Sequence, residues 1–236
     1  RIGLTTIGEK RYIFDDNGVM QNYAGTPVIN GKKYWFSEDG SLRTGWLALG
    51  SWKLYFDEET CEARIGLSTV GEKRYLFDNN GVLLAQPGTP VINGKKYWFA
   101  SDGSLNTGWL VLGEWKMYFD EDTCEAAIGV KTIDGKKYVF DQNGIQLIGN
   151  GTQVVNGKKY YFNSDGSIET GWIKLGTWSF YFDKNTGAAA VGVTTIEGKK
   201  YLFDNNGVWL TGSGMIVING NKYCFNSDGT VVTGWY

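Results

Sequence analysis

Short stretches of alternating long and aromatic side chains recur along the whole chain. In Lys32-Lys33-Tyr34-Trp35-Phe36, residues Lys32, Tyr34 and Phe36 share one face and Lys33 and Trp35 the other, the period-two pattern of a β-strand. The phenylalanines mark the spacing of these stretches. Phe14, Phe36, Phe56, Phe77, Phe99, Phe119, Phe140, Phe162, Phe182, Phe203 and Phe225 step by 22, 20 and 21 residues, and the same order then repeats. A turn precedes each strand, as at Asn30-Gly31, Asn93-Gly94, Asp134-Gly135, Asn156-Gly157, Glu197-Gly198 and Asn219-Gly220. A second turn follows, as at Asp16-Asn17-Gly18, Glu38-Asp39-Gly40 and Asp102-Gly103, and leads into a second strand such as Ser41-Leu42-Arg43-Thr44-Gly45-Trp46. Asn-Gly and Asp-Gly supply the positive-φ residues of tight turns. The pattern predicts β-hairpins of about 21 residues, with the strand at 32–36 paired to the strand at 41–46.

An isolated hairpin is marginal in water, so each must bury its tyrosine and phenylalanine against the hairpins before and after it. The expected fold is all-β, a solenoid of about eleven stacked hairpins with three per 63-residue cycle. The single phenylalanine of each hairpin is its structural peg, since an aromatic side chain buries about 150–250 Å². The chain reads as one repeat array over 1–236, with units 1–63, 64–126, 127–189 and 190–236. It has no initiator Met and begins inside a repeat, which implies a piece of a longer modular protein.

The hairpins of one cycle differ. Only the third type opens with Gly-Trp and carries a second tryptophan, at Trp46/Trp52, Trp109/Trp115 and Trp172/Trp178, with a final Gly234-Trp235 at the chain end. Successive Gly-Trp pairs are 63 residues apart. Every hairpin has its phenylalanine and one in three has the paired tryptophans, so these indoles are read as binding rather than packing residues. Three sites on one rod suit a weak multivalent binder, because linked weak sites add avidity.

Composition narrows the possible partners. Glycine accounts for 34 of 236 residues and aromatics for 15%, as expected of many short strands joined by tight turns. A formal charge of −2 argues against nucleic acid or an anionic membrane surface. No apolar run approaches the roughly 20 residues that membrane insertion requires. Histidine is absent, which excludes Ser-His-Asp and Cys-His catalysis. The acids Asp15, Asp16, Asp39, Asp57, Asp78, Asp120 and Asp183 lie in recurring turns, where they serve backbone geometry. The runs 57–59 and 120–122 do not match the spacing of an EF-hand loop and are read as solvated turn charge. Cys61 and Cys124 share one slot in consecutive cycles, the third cycle has Gly187 there, and all three cysteines are read as unpaired.

Gly-Trp, a glycine turn, a strand with tryptophan and a second glycine turn together resemble the choline-binding repeats of Gram-positive surface proteins. Gly-Lys-Lys-Tyr-Trp-Phe and Gly-Lys-Lys-Tyr-Tyr-Phe followed by Asp-Gly resemble the related glucan-binding repeats, and also the C-terminal repeats of clostridial toxins. The likeness covers the whole chain. It implies a left-handed superhelix with ligands held in aromatic boxes between consecutive hairpins. By resemblance the boxes are Trp46, Trp52 and Tyr75, then Trp109, Trp115 and Tyr138, then Trp172, Trp178 and Tyr201. Two departures stand out. The tryptophans are six residues apart where choline-binding repeats have seven, and the strand Trp52-Lys53-Leu54-Tyr55-Phe56 is one residue longer. The extra residue implies either a bulge or Trp52 turned to the other face.

The resemblance implies a non-catalytic module, with no cofactor and no metal. It would attach a secreted protein at the bacterial cell surface to choline-bearing teichoic acid or polysaccharide. The other reading is a host-glycan-binding or spacer rod of a toxin or adhesin. Any catalytic domain would lie outside this segment.

Overall fold

The structure, a computed structural model, describes residues 1–212, 214–218 and 220–232. The terminal Gly234-Trp235 copy and Asn219 of the last Asn-Gly turn lie outside the described residues. Among the described residues all regular structure is β, in antiparallel hairpins. The chain divides into two compact units, one of Arg1–Trp109 with Phe119–Ala126, the other of Leu110–Tyr118 with Ala127–Tyr236.

In the first unit Gly3–Ile7 pairs with Lys10–Phe14, Gly45–Leu49 with Trp52–Phe56, and Gly66–Val70 with Lys73–Phe77. In the second, Gly129–Ile133 pairs with Lys136–Phe140, Gly151–Val155 with Lys158–Phe162, Gly171–Leu175 with Trp178–Phe182, and Gly192–Ile196 with Lys199–Phe203. The turns obey their residues. Asn30 and Gly31 both take positive φ, at 50° and 78°, as a type I′ hairpin turn requires, whereas Gly50 alone supplies it where the turn reads Gly-Ser.

This pairing corrects the sequence-predicted hairpin. The five-residue ladders form across the first turn, between the strand that ends before it and the strand that follows. Of the expected partnership of 32–36 with 41–46, only Trp35↔Arg43 and Phe36↔Leu42 exist. Gly45 is the reason. Its φ of +85° lifts the chain out of that ladder, so Trp46 opens the next hairpin. Proline adds a further irregularity. Pro27 and Pro90 have no N–H, and the ladders there shrink to Val28–Ile29 with Lys32–Lys33 and Val91–Ile92 with Lys95–Lys96. The third cycle has Gln153 in that slot and a full five-residue ladder.

Connectors after the hairpins hold neighbours together within each unit. Arg64 N–H donates back to the Tyr55 carbonyl of its own hairpin, while Ala63 N–H donates to Lys33 of the preceding one, each at 2.8 Å. Leu83 to Lys53 (2.7 Å) and, in the second unit, Ala189 to Lys159 (2.8 Å) repeat the link. Phenylalanine packs beneath. Phe56, Phe119, Phe162 and Phe182 are at most 1% exposed, and Phe14 is the one ruler residue only half-buried. Trp35 lies on Phe56 at 5.8 Å and Tyr161 on Phe182 at 6.2 Å, so the aromatics outside the Gly-Trp hairpins reinforce the pegs.

Cys61 and Cys124 are fully buried free thiols at positive φ, 58° and 59°, where Gly187 stands in the third cycle. Burial pushes both thiols up in pKa. Arg11 reaches across to the Glu58 and Glu59 carbonyls and to Cys61 Sγ (3.7 Å), and Arg74 does the same with Glu121, Asp122 and Cys124. Asp57 behaves as a turn acid, its Oδ1 accepting from the N–H groups of Glu59 and Thr60.

Glu197 occupies the first central position of its turn at φ +50°, where Asn or Asp stands in other turns. Glu197→Asn is expected to raise the thermal midpoint, despite losing an exposed ion pair to Lys184. A lower midpoint would contradict this account of the turn.

Candidate ligand site at the Gly-Trp hairpins

Register decides which tryptophans can meet. In the first unit's Gly-Trp hairpin, Trp46 stands opposite Tyr55, and Trp52 opposite Leu49. Side chains alternate between faces along a strand, so Trp46, Ala48, Lys53 and Tyr55 share one face and Leu47, Leu49, Trp52, Leu54 and Phe56 the other. Trp46 and Trp52 therefore point away from each other. Of the two sequence-stated possibilities, the structure takes the turned Trp52, with no bulge in the five-pair ladder. The same holds in the second unit, where Trp172 faces Tyr181 and Trp178 faces Leu175.

The box members that do meet come from consecutive hairpins. Trp46 packs edge-on against Tyr75 at 5.0 Å and against Tyr55 at 5.2 Å, with Phe77 behind at 6.0 Å. Trp172 repeats this with Tyr201 at 5.1 Å, Tyr181 at 5.4 Å and Phe203 at 5.8 Å. In the middle copy Trp109 belongs to the first unit and Tyr138 to the second. Trp46 keeps 42% of its surface exposed and Trp172 43%, so each pair is anchored yet open. Trp52, Trp115 and Trp178 are about 60% exposed at hairpin tips, at the slot filled by Lys10, Lys32, Lys73 and Lys136 in other hairpins.

Sequence reasoning missed the polar side of the site. Trp46, Leu47, Ala48, Lys53, Tyr75, Leu83 and Asp102 line one open cavity of about 280 Å³. Lys53 alternates onto the Trp46 face. Asp102 belongs to an Asp-Gly turn and is held by Lys73 at 2.5 Å and by the Ser104 N–H and hydroxyl at 3.0 and 2.6 Å. The Lys73 hydrogen bond, then those from Ser104, hold the Asp102 carboxyl far below the usual carboxylate range. A cavity of about 320 Å³ in the second unit, without an aromatic in its lining, repeats three of these positions 63 residues on, with Lys116, Gln146 and Asp165 for Lys53, Leu83 and Asp102. That recurrence was the available signal. The aspartate was read as turn geometry alone, and it serves both.

Two family models fit parts of the chain: a choline-binding repeat over residues 149–192, and a cell wall binding repeat over 29–42 and 92–105. These stretches match cell-wall-binding repeats. Over 86% of its length it is 31% identical to glucosyltransferase-S of Streptococcus mutans, of which it covers 14%. It is 33% identical to toxin B of Clostridioides difficile over 28% of the chain and 3% of the toxin. Among solved structures, choline binding protein F from Streptococcus pneumoniae is similar, with 22% identity, a TM-score of 0.45, and coverage of 99% of this chain and 93% of that one. The chain spans only 12–14% of the streptococcal glucosyltransferases it matches. In these repeats the hairpin with the paired tryptophans thus presents one indole to a neighbouring tyrosine and the other to solvent on the opposite face.

Pegs and site separate by mutation. Phe56→Ala is expected to cost about 3–5 kcal/mol of stability, and Trp46→Ala about 1 kcal/mol or less, measured by denaturant unfolding. Equal costs would make Trp46 a core residue. A pH prediction follows from Asp102. A lowered folded pKa favours the folded, ion-paired state above the unfolded carboxylate pKa, and this is lost only as pH falls through the folded value. Any ligand contact to the carboxylate is therefore expected to be unchanged between about pH 4 and about pH 8. A midpoint near pH 6 in a binding titration would contradict it.

Proposed function

We propose that the chain is a non-catalytic binding segment that attaches a secreted bacterial protein to polysaccharide, with α-glucan as the favoured ligand. One observation carries this reading: the exposed Trp46–Tyr75 pair shares its cavity with Lys53 and Asp102. A pyranose has an apolar C–H face and a rim of hydroxyls. The indole suits the face, and the ammonium and carboxylate suit the rim. The likeness to a glucosyltransferase over most of this chain favours glucosyl units. The transfer reaction of such an enzyme is not assigned to this segment. Acting together on one array at the cell surface, in the left-handed stack that the repeat type implies, the sites gain avidity.

A choline reading has its own support, since the choline-binding repeat model covers Trp172 and Trp178. Aromatic faces attract a quaternary ammonium by about 0.5–2 kcal/mol per contact. Lys53 in the same cavity opposes a second cation, and Asp102 there is already paired with Lys73, which is why glucan is preferred here. Affinity retention separates the two. The chain is expected to bind immobilised α-glucan and elute with soluble isomalto-oligosaccharide, and the Trp46→Ala/Trp172→Ala variant to pass through while still folded. Retention on a choline resin alone would transfer the assignment to choline. Passage through both resins would end the binding-module reading.

A further inference from the structure

The three Gly-Trp sites are not copies of one another. At 63-residue spacing one position reads Leu83, Gln146, Trp209, while the turn acid beside it stays Asp102, Asp165, Asp228. Each of these variable residues is seated against the glycine of that same turn. A Cβ on Gly103 would come within 3.3 Å of Leu83 Cδ2, on Gly166 within 2.6 Å of Gln146 Nε2, and on Gly229 within 2.6 Å of Trp209 Cζ2. All three glycines have φ near +80°, so the seat is preserved while its occupant changes. Leu83 lines the Trp46–Tyr75 cavity, and Gln146 lines the cavity with Lys116 and Asp165. The position is thus the floor of both cavities.

Beside the Trp172–Tyr201 pair the floor is aromatic. Trp209 packs on Trp172 at 5.0 Å and on Tyr201 at 5.8 Å, with ring planes inclined by 59° and 71°. It does not cover its neighbour, because Trp172 remains as exposed as Trp46, whose floor is leucine. The indole therefore adds a wall and leaves the site open. Its Nε1 is buried without a partner among the described residues, a cost that leucine at this position would not bear. The polar edge survives: Lys199 pairs with Asp228 at 3.1 Å. The rim cation moves across the hairpin, since Lys174 stands opposite Ser179 where Ala48 stands opposite Lys53.

We propose that Trp209 is a ligand-contacting, specificity-determining residue, which makes the Trp172–Tyr201 site bind α-glucan more tightly than the Trp46–Tyr75 site. This rests on the glucan reading above and assigns its sites unequal strengths. A reciprocal exchange tests it on the full chain by calorimetric titration with an isomalto-oligosaccharide. With the other sites silenced by Trp46→Ala and Trp109→Ala, Trp209→Leu is expected to weaken binding about fivefold. With Trp109→Ala and Trp172→Ala in place, Leu83→Trp is expected to strengthen the first site by a similar factor. Thermal unfolding of each variant confirms that it is folded. If the unmodified chain binds and Trp209→Leu binds as tightly or more tightly, this inference is overturned and the glucan reading stands. If the unmodified chain takes up no glucan, both fall.

Discussion

A two-stranded ribbon has an apolar face and no second layer of its own to cover it. Everything in this chain answers that deficit. The phenylalanine closing each hairpin is driven out of water against its neighbours, and burial of an aromatic side chain is worth several kcal/mol at ~25 cal/mol/Å². Phe56, Phe162 and Phe182 show the result, each almost wholly buried. Connectors such as Ala63-Arg64, Leu83-Leu84 and Ala189-Ala190 supply the backbone hydrogen bonds, one to their own ribbon and one to the ribbon before. Stability within each unit is therefore a sum over neighbours, as repeat proteins require.

That arrangement explains where function can be placed. The peg face of a Gly-Trp hairpin is committed, with Leu54 and Phe56 buried on it. The other face carries Trp46 and Tyr55 and meets only the edge of the next hairpin, at Tyr75. Aromatic surface there is anchored without being filled. The turns add charge at fixed intervals, because the aspartate that shapes an Asp-Gly turn is also within reach of a lysine one hairpin earlier, as in Lys10–Asp39, Lys73–Asp102 and Lys136–Asp165. Geometry needed for the turn thus places the Asp102 carboxylate, held below its usual pKa range by Lys73 and Ser104, at the rim of the Trp46–Tyr75 pair.

Much of this could be read from residues alone, for definite reasons. The spacing of the phenylalanines located the buried pegs, and Asn-Gly pairs located type I′ turns, because both depend on local chemistry that recurs without insertion. Strand pairing was misassigned because a period-two pattern does not reveal that Gly45 takes φ of +85° and reverses the chain's partnership. The Trp46–Tyr75 contact was anticipated, whereas Trp52 was grouped with it although the longer strand had already allowed it to face the other way. Asp102 was read as a turn residue and Lys53 only as one position of its strand, so neither was connected with the site. Leu83, Gln146 and Trp209 were invisible for the opposite reason, since attention to what recurs passes over the column that varies.

The account rests on Trp46 and Trp172 facing the site while Trp52 and Trp178 face away from it. Oxidative footprinting of tryptophan, with and without a saturating isomalto-oligosaccharide, reads this directly by mass spectrometry. All four indoles are exposed enough to react in the free chain. The account predicts that ligand protects Trp46 and Trp172 and leaves oxidation of Trp52 and Trp178 unchanged. Protection of Trp52 and Trp178 with Trp46 and Trp172 unaffected would contradict it.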